Sequence, residues 1–101
     1  MALFFVQSAQ DELDDVIRYY NNVRIGLGDE FEAEIDEVLD RIVFWPLAWS
    51  KASKEARICT AKRFPYGVVY VPEEDRIVVV AVMHLHRRPG YWKRRLKDLG
   101  Q

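Results

Sequence analysis

The sequence has few of the residues that form disulfides or bind metal ions. Its 101 residues include one cysteine, Cys59, and two histidines, His84 and His86. One cysteine excludes an internal disulfide and any metal site built from several cysteines, and it fits a reducing cytoplasm. Because no Cys, Asp or Glu lies near the two histidines in the sequence, we predict no metal site and no cofactor.

Long apolar stretches are also lacking. None reaches the roughly 18 residues of a membrane span, and residues 1–12 carry no basic region ahead of their short apolar run. We therefore expect no signal peptide, no membrane partner and a cytoplasmic location. Half of the residues are nevertheless hydrophobic, which is enough for a single domain over residues 1–101 with its own core.

Charge is distributed unevenly along the chain. Residues 1–50 hold three basic and eleven acidic residues, a net charge of −8, whereas residues 51–101 hold twelve basic and five acidic residues, a net charge of +7. A second half this basic predicts an anionic partner. The alternative is that acidic helices and a basic sheet neutralise each other across the fold.

The first 25 residues predict a strand followed by an amphipathic helix. Leu3–Val6 reads as a short strand, and Ser8 is an N-cap candidate because its hydroxyl could accept from the free amides of the first turn. Glu12 then lies near the positive end of the helix dipole. Apolar residues recur with helical spacing, and the helix should end near Arg24. The apolar stripe is Leu13, Val16, Ile17 and Tyr20.

A second helix follows a glycine-containing turn at residues 26–28. We expect Asp29 to cap it and Pro46 to end it. Its buried face is predicted to be Phe31, Ile35, Val38, Leu39 and Ile42. Two amphipathic helices joined by a short turn form an antiparallel helical hairpin.

The second half predicts strands, because the apolar period changes to two after a loop over Trp45–Lys54. The strands are Arg57–Lys62, Gly67–Val71 and Arg76–His86, and Tyr91–Leu99 is compatible with a short terminal helix. The predicted fold is α+β, with the order β-α-α-β-β-β and the helical hairpin on one face of a small, mainly antiparallel sheet. Residues 77–82 are apolar at every position, so their strand should be buried on both faces and lie centrally.

The end of that strand is the predicted site. If the strand is regular, its even-numbered residues from Val78 to His86 share one face, and Arg88 continues the row. His84 and His86 could then act as general acids or bases, or could be structural. Beyond them, Arg87-Arg88 and Lys93-Arg94-Arg95 flank Tyr91-Trp92, a pattern that suits phosphate contacts with base stacking and equally an acidic protein partner.

The order and spacing of several motifs resemble the RelE/ParE toxin superfamily over nearly the whole chain. The motifs are the opening strand, the helical hairpin with Tyr19-Tyr20 and Leu-Gly-Asp-Glu-Phe at residues 27–31, Pro46, Arg-Phe-Pro-Tyr-Gly-Val-Val-Tyr at residues 63–70, and His-Arg-Arg-Pro-Gly-Tyr-Trp at residues 86–92. The resemblance implies a small cytoplasmic toxin of the plasmid stabilisation type. It also implies a cognate antitoxin, encoded beside the toxin, whose extended tail wraps it.

The superfamily divides by function, and the resemblance is closer to ParE. RelE-like members cut messenger RNA on the ribosome, whereas ParE-like members inhibit DNA gyrase and are not nucleases. Arg87 and Tyr91 match two positions of the RelE-like pattern, but Gly67 stands where that pattern has an arginine, and only Lys62 supplies a lysine on the preceding strand. Losing one group that stabilises transition-state charge typically costs about 10²–10³ in rate, so we favour a toxin that is not an enzyme.

Three hypotheses follow from the resemblance. The first is a growth inhibitor acting on DNA gyrase, the second is a ribosome-dependent mRNA endoribonuclease, and the third is a non-toxic module that binds its antitoxin in autoregulation. In each case the antitoxin is a partner, and DNA is reached only through the antitoxin complex. Arg87 and Tyr91 are catalytic only in the second hypothesis. The residues predicted to bind target or antitoxin are Lys62, Arg63, His84, His86, Arg88, Trp92, Arg94 and Arg95.

Overall fold

A helical hairpin packs on one face of a five-stranded sheet in the computed structural model, which describes residues 2–99. In chain order the elements are β1 (Ala2–Phe5), α1 (Gln7–Val23), α2 (Leu27–Phe44), β2 (Ser50–Lys51), β3 (Arg57–Thr60), β4 (Tyr66–Pro72), β5 (Arg76–His84) and a 3-10 helix (Lys93–Leu99). The predicted α+β class and the element order are confirmed. The additional strand β2 lies in the segment that was predicted as a loop. No helix within the described range is long and apolar enough to cross a membrane.

The sheet is mixed, with the spatial order β1-β5-β4-β3-β2. β1 runs parallel to β5, and every other neighbouring pair is antiparallel. β5 therefore has a strand on both sides, and its residues 77–83 are all buried. The prediction that this strand is central and covered on both faces is confirmed.

Both predicted N-caps are wrong, because each helix begins earlier than its polar candidate. α1 begins at Gln7 after Val6, so Ser8 already lies in its first turn. α2 begins at Leu27 after Gly26, whose φ of 89° few residues other than glycine adopt readily. Asp29 therefore stabilises the first turn of α2 through the helix dipole instead of as a cap.

Two apolar clusters cover the two faces of the sheet. The first joins the helical hairpin to the sheet, and its buried members are Ala9, Leu13, Phe31, Ile35, Val38, Ile42, Cys59, Phe64, Val68, Tyr70, Ile77, Val79 and Val82. The second lies on the opposite face under the C-terminal residues, and its buried members are Ala56, Val69, Val78, Val80, Ala81, Met83 and Trp92. The chain after β5 therefore completes the core of the outer face.

A β-bulge in β5 changes which residues share a face. Val69 of β4 is opposite Ala81, but the next residue, Tyr70, is opposite Val79, so Val80 is an extra residue in β5. Val80 and Ala81 both pack in the second cluster, whereas Val82 packs in the first. The predicted row of even-numbered residues from Val78 to His86 is therefore wrong, and β5 ends at His84, so His86 lies in the following turn.

Candidate functional site

The centre of the candidate site is the carboxylate of Glu12 in α1. Its Oε1 accepts hydrogen bonds from the backbone N–H of Val82 at 3.0 Å and from Nη1 of Arg95 at 2.9 Å. Its Oε2 accepts from the hydroxyl of Tyr91 at 2.7 Å and from Nη2 of Arg95 at 3.0 Å. The pair of Glu12 and Arg95 is therefore bidentate, and the two side chains are only 15% and 20% exposed. This is the strong form of a carboxylate–guanidinium contact.

The same two side chains complete the edge of β5. β1 pairs with β5 only as far as Val79. Beyond that point the carbonyl of Val80 accepts a hydrogen bond from Nη1 of Arg95 at 2.8 Å, and the N–H of Val82 donates to Glu12. The side chains thus replace the missing neighbouring strand beside the bulge, where buried backbone groups need partners.

Two guanidinium groups lie close to the ring of Tyr91. The Cζ of Arg87 is 3.6 Å from the centre of the tyrosine ring, and the Cζ of Arg95 is 5.2 Å from it. Nη1 of Arg87 is also 3.6 Å from Oε2 of Glu12. Burial raises the pKa of Tyr91, and its hydrogen bond to Glu12 raises that pKa further. The hydroxyl therefore stays protonated near neutral pH, which does not suit a general base.

Two open cationic clefts lie side by side at residues 87–97, the basic segment, which has six cationic residues and no acidic one. The first cleft has a volume of about 450 Å³ and is lined by Ser8, Arg87, Arg88, Tyr91, Arg94 and Arg95. The second has a volume of about 340 Å³ and is lined by Arg88, Gly90, Tyr91, Lys93, Arg94 and Lys97. The structure thus brings together five of the predicted site residues: Arg87, Arg88, Tyr91, Arg94 and Arg95.

Three of the other predicted site residues line neither cleft. Lys62 and Arg63 form part of the turn between β3 and β4, where their backbone N–H groups donate to the buried carboxylate of Glu34. The guanidinium of Arg63 pairs with Glu30 at 2.9 Å. Trp92 is 2% exposed and packs in the second core cluster, so most of its side chain belongs to the core.

The rings of the two histidines contact each other at a tilted angle at the end of β5, outside both clefts. The ring of His84 is 5.1 Å from that of Tyr66 and 5.2 Å from that of His86. Nδ1 of His84 also accepts a hydrogen bond from the backbone N–H of His86 at 3.1 Å. In the part of the chain whose side chains the structure describes, no group of three or more His, Cys, Asp or Glu residues is close enough to hold a metal ion.

Gly67 occupies a tightly packed position in β4. A β-carbon added there would lie 2.9 Å from Cδ1 of Ile58 and 3.3 Å from Cδ2 of Leu85. The shorter distance is closer than carbon atoms approach in proteins, so Ile58 would have to move. This is the position at which the RelE-like pattern has an arginine.

Sequence reasoning missed the central role of Glu12. The residue was predicted only to interact with the helix dipole, because its partners lie 70 to 83 residues further along the chain. No local pattern reports so distant a pairing. The sequence offered one indication, the difference in charge between the two halves of the chain. It sets a carboxylate at the start of α1 against six cations at residues 87–97.

Neutralisation between the two halves of the chain is partial. Glu12 pairs with Arg87 and Arg95, and Glu30 pairs with Arg63. Among the side chains that the structure describes, four exposed cations of the basic segment form no ion pair or side-chain hydrogen bond. These cations are Arg88, Lys93, Arg94 and Lys97. A cationic surface therefore remains for an anionic partner.

The helical hairpin, the five-stranded mixed sheet and the basic segment together define a small α+β toxin of the RelE/ParE type. The sequence matches the family described as the ParE toxin of the type II toxin–antitoxin system, parDE, over residues 3–89. The chain belongs to this ParE toxin family. The predicted membership of the superfamily, on its ParE-like side, is confirmed.

The fold agrees with this assignment. It is similar to that of a chain from the chromosomal ParDE TA system of P. aeruginosa, with a TM-score of 0.60. The two are 18% identical, and the match covers 83% of this chain and 95% of that one. At this level of identity the likeness extends to the fold alone. No curated protein matches the sequence.

Proposed function

We propose that this chain arrests growth by binding DNA gyrase, that it does not cleave messenger RNA, and that a cognate antitoxin neutralises it. The proposal rests on two positions of the RelE-like pattern, Tyr91 and Gly67, both of which make close contacts within the fold. Tyr91 donates its hydroxyl to Glu12, and a β-carbon at Gly67 would lie only 2.9 Å from Cδ1 of Ile58. Membership of the ParE family supports gyrase as the target.

The chemistry of RNA cleavage explains why these contacts argue against a nuclease. Attack by a 2′-hydroxyl builds negative charge on the scissile phosphate, which needs preorganised cations and a group that accepts a proton. Here the carboxylate of Glu12 partly neutralises Arg87, since its Oε2 is 3.6 Å from Nη1 of that residue, so less of the arginine's charge is available to a scissile phosphate. Tyr91 is held protonated by burial and by the same carboxylate. The nuclease alternative is supported only by the contact between Arg87 and Tyr91.

An apolar groove beside Arg87 supports neutralisation by a protein segment. The groove has a volume of about 270 Å³ and lies on the outer face of the sheet, next to the basic segment. It is lined by Ala52, Ile58, Val69, Met83, Leu85, Arg87, Pro89, Gly90 and Trp92. An antitoxin segment with one apolar anchor and a neighbouring carboxylate would fill the groove and pair with Arg87.

The target is tested with the toxin expressed alone and then purified. Expression without antitoxin should stop growth and induce a DNA-damage response while ribosome-bound transcripts stay intact by primer extension. The purified toxin should inhibit supercoiling by gyrase. Rapid cleavage of ribosome-bound messenger RNA, with gyrase unaffected, contradicts the proposal.

The Tyr91→Phe variant separates the two mechanisms further. It removes only the hydroxyl that donates to Glu12, so a folded variant should remain toxic if the target is gyrase. A nuclease that uses the hydroxyl should lose most of its toxicity. Circular dichroism of each purified variant shows whether a loss reflects unfolding.

Antitoxin binding is tested by co-purification with the product of the neighbouring gene at low salt. Leu85→Glu places a charge in the apolar groove and should abolish co-purification. Leu47→Glu is the matched control, because Leu47 is 67% exposed and lies outside the groove, whereas Leu85 is 39% exposed. If the Leu85→Glu variant captures as much antitoxin as the control variant does, the groove is not the antitoxin-binding site.

A further inference from the structure

We propose that the two cationic clefts bind the phosphodiester backbone of duplex DNA. The inference goes beyond gyrase inhibition, and it departs from the expectation that this protein reaches DNA only through its antitoxin. Four cations have no ion-pair partner in the described chain, and all four line the second cleft. They are Arg88, Lys93, Arg94 and Lys97. Arg88 and Arg94 also line the first.

The composition of the clefts favours a phosphate ligand. Their linings contain arginine, lysine, serine, glycine and one tyrosine, and no aliphatic side chain. Guanidinium groups bind phosphate oxygens in a bidentate manner, and Ser8 adds a hydroxyl donor to the first cleft. An acidic protein segment would also need apolar anchors, which these two clefts lack.

The placement of the aromatic residues favours duplex DNA over single-stranded RNA. Single strands are held largely by bases that stack on exposed aromatic rings. In the basic segment Trp92 is buried, and the ring of Tyr91 is covered by Arg87. A surface that offers charge without stacking suits the regular backbone of a duplex, where phosphate contacts supply nonspecific affinity.

The expected salt dependence follows from the number of cations. If all four contact phosphates, the logarithm of the association constant should fall with a slope of about −3.6 against the logarithm of salt concentration. Raising salt from 50 to 200 mM then weakens binding about 150-fold. Arg88→Gln with Arg94→Gln leaves two cations, and the slope should fall to about −1.8, or about 12-fold over the same range.

The test is fluorescence anisotropy of a labelled 20-base-pair duplex with the full-length toxin, freed of antitoxin, at several salt concentrations. The double variant should halve the slope. The control variant Lys51→Gln with Lys54→Gln removes the same charge from residues that line neither cleft, and it should keep the slope of the wild type.

Each other result overturns the inference. No binding at 50 mM salt, or an equal loss in the control variant, excludes the clefts as the site. Equal binding of a poly-glutamate peptide identifies an acidic protein as the ligand, and tighter binding of single-stranded RNA identifies RNA. Because no gyrase is present, the result is independent of the proposed function. A toxin that inhibits gyrase without binding DNA refutes this inference alone.

Discussion

Replacing Glu12 by glutamine should destabilise the protein by about 2–3 kcal/mol. The substitution keeps the shape of the side chain and one oxygen acceptor, but it removes the charge that holds Arg95 in bidentate geometry. Breaking a buried ion pair by changing one partner costs about 3–5 kcal/mol. The cost should be lower here because both side chains are partly exposed and the glutamine keeps one oxygen that can accept a hydrogen bond. For a domain of this size the melting temperature should fall by about 10–20 °C. Thermal and urea unfolding followed by circular dichroism measure both quantities.

A double-mutant cycle and a surface control give this prediction its specificity. Combining Glu12→Gln with Arg95→Gln should cost about 2 kcal/mol less than the sum of the single changes, because each single change leaves the other group without its partner. Glu32→Gln, on the exposed face of α2, should change stability by less than about 0.5 kcal/mol. If Glu12→Gln is as mild as that control, Glu12 does not organise the site.

Two further predictions concern the core. Burial raises the pKa of Tyr70 to about 12, so its contribution to stability is complete below its unfolded pKa of about 10 and is lost as pH rises through 12. Tyr70→Phe should therefore flatten the decline in unfolding free energy between pH 10 and 12 by up to about 1.4 kcal/mol per pH unit, and an unchanged slope contradicts this. Gly67→Ala should cost about 1 kcal/mol in urea unfolding because its β-carbon meets Cδ1 of Ile58. The cost should shrink in an Ile58→Val background, which lacks that atom, and an equal cost in both backgrounds shows that the contact is not the cause.

Most of the fold could be predicted because its signals are local. Helical spacing of apolar residues identified α1 and α2, and the continuous apolar run at residues 77–82 identified a central strand. The bulge at Val80 could not be read from that run, because valine and alanine at consecutive positions fit either face equally well. That ambiguity is the reason the predicted row of side chains leading to the histidines failed.

The site was predictable only where its residues are close in sequence. Arg87, Arg88, Tyr91, Arg94 and Arg95 could be grouped from the sequence because they share one short segment, and the structure places them along the same cleft. Two features could be seen only in the folded structure. One is the carboxylate of Glu12, which pairs with some of these cations and leaves the others without a partner in the described chain. The other is the burial of Trp92. The charge imbalance between the halves indicated an interaction, but only the structure distinguishes an internal pair from a free surface.

The pairing of β1 with β5 joins segments that are synthesised far apart in time. Ala2 lies opposite Arg76, and Glu12 meets Arg95. The helical hairpin is local and can form early, but the sheet edge and the clefts depend on contacts of long sequence separation, which form slowly. β1 therefore cannot pair until β5 has been synthesised, and the fold is complete only after the basic segment has left the ribosome.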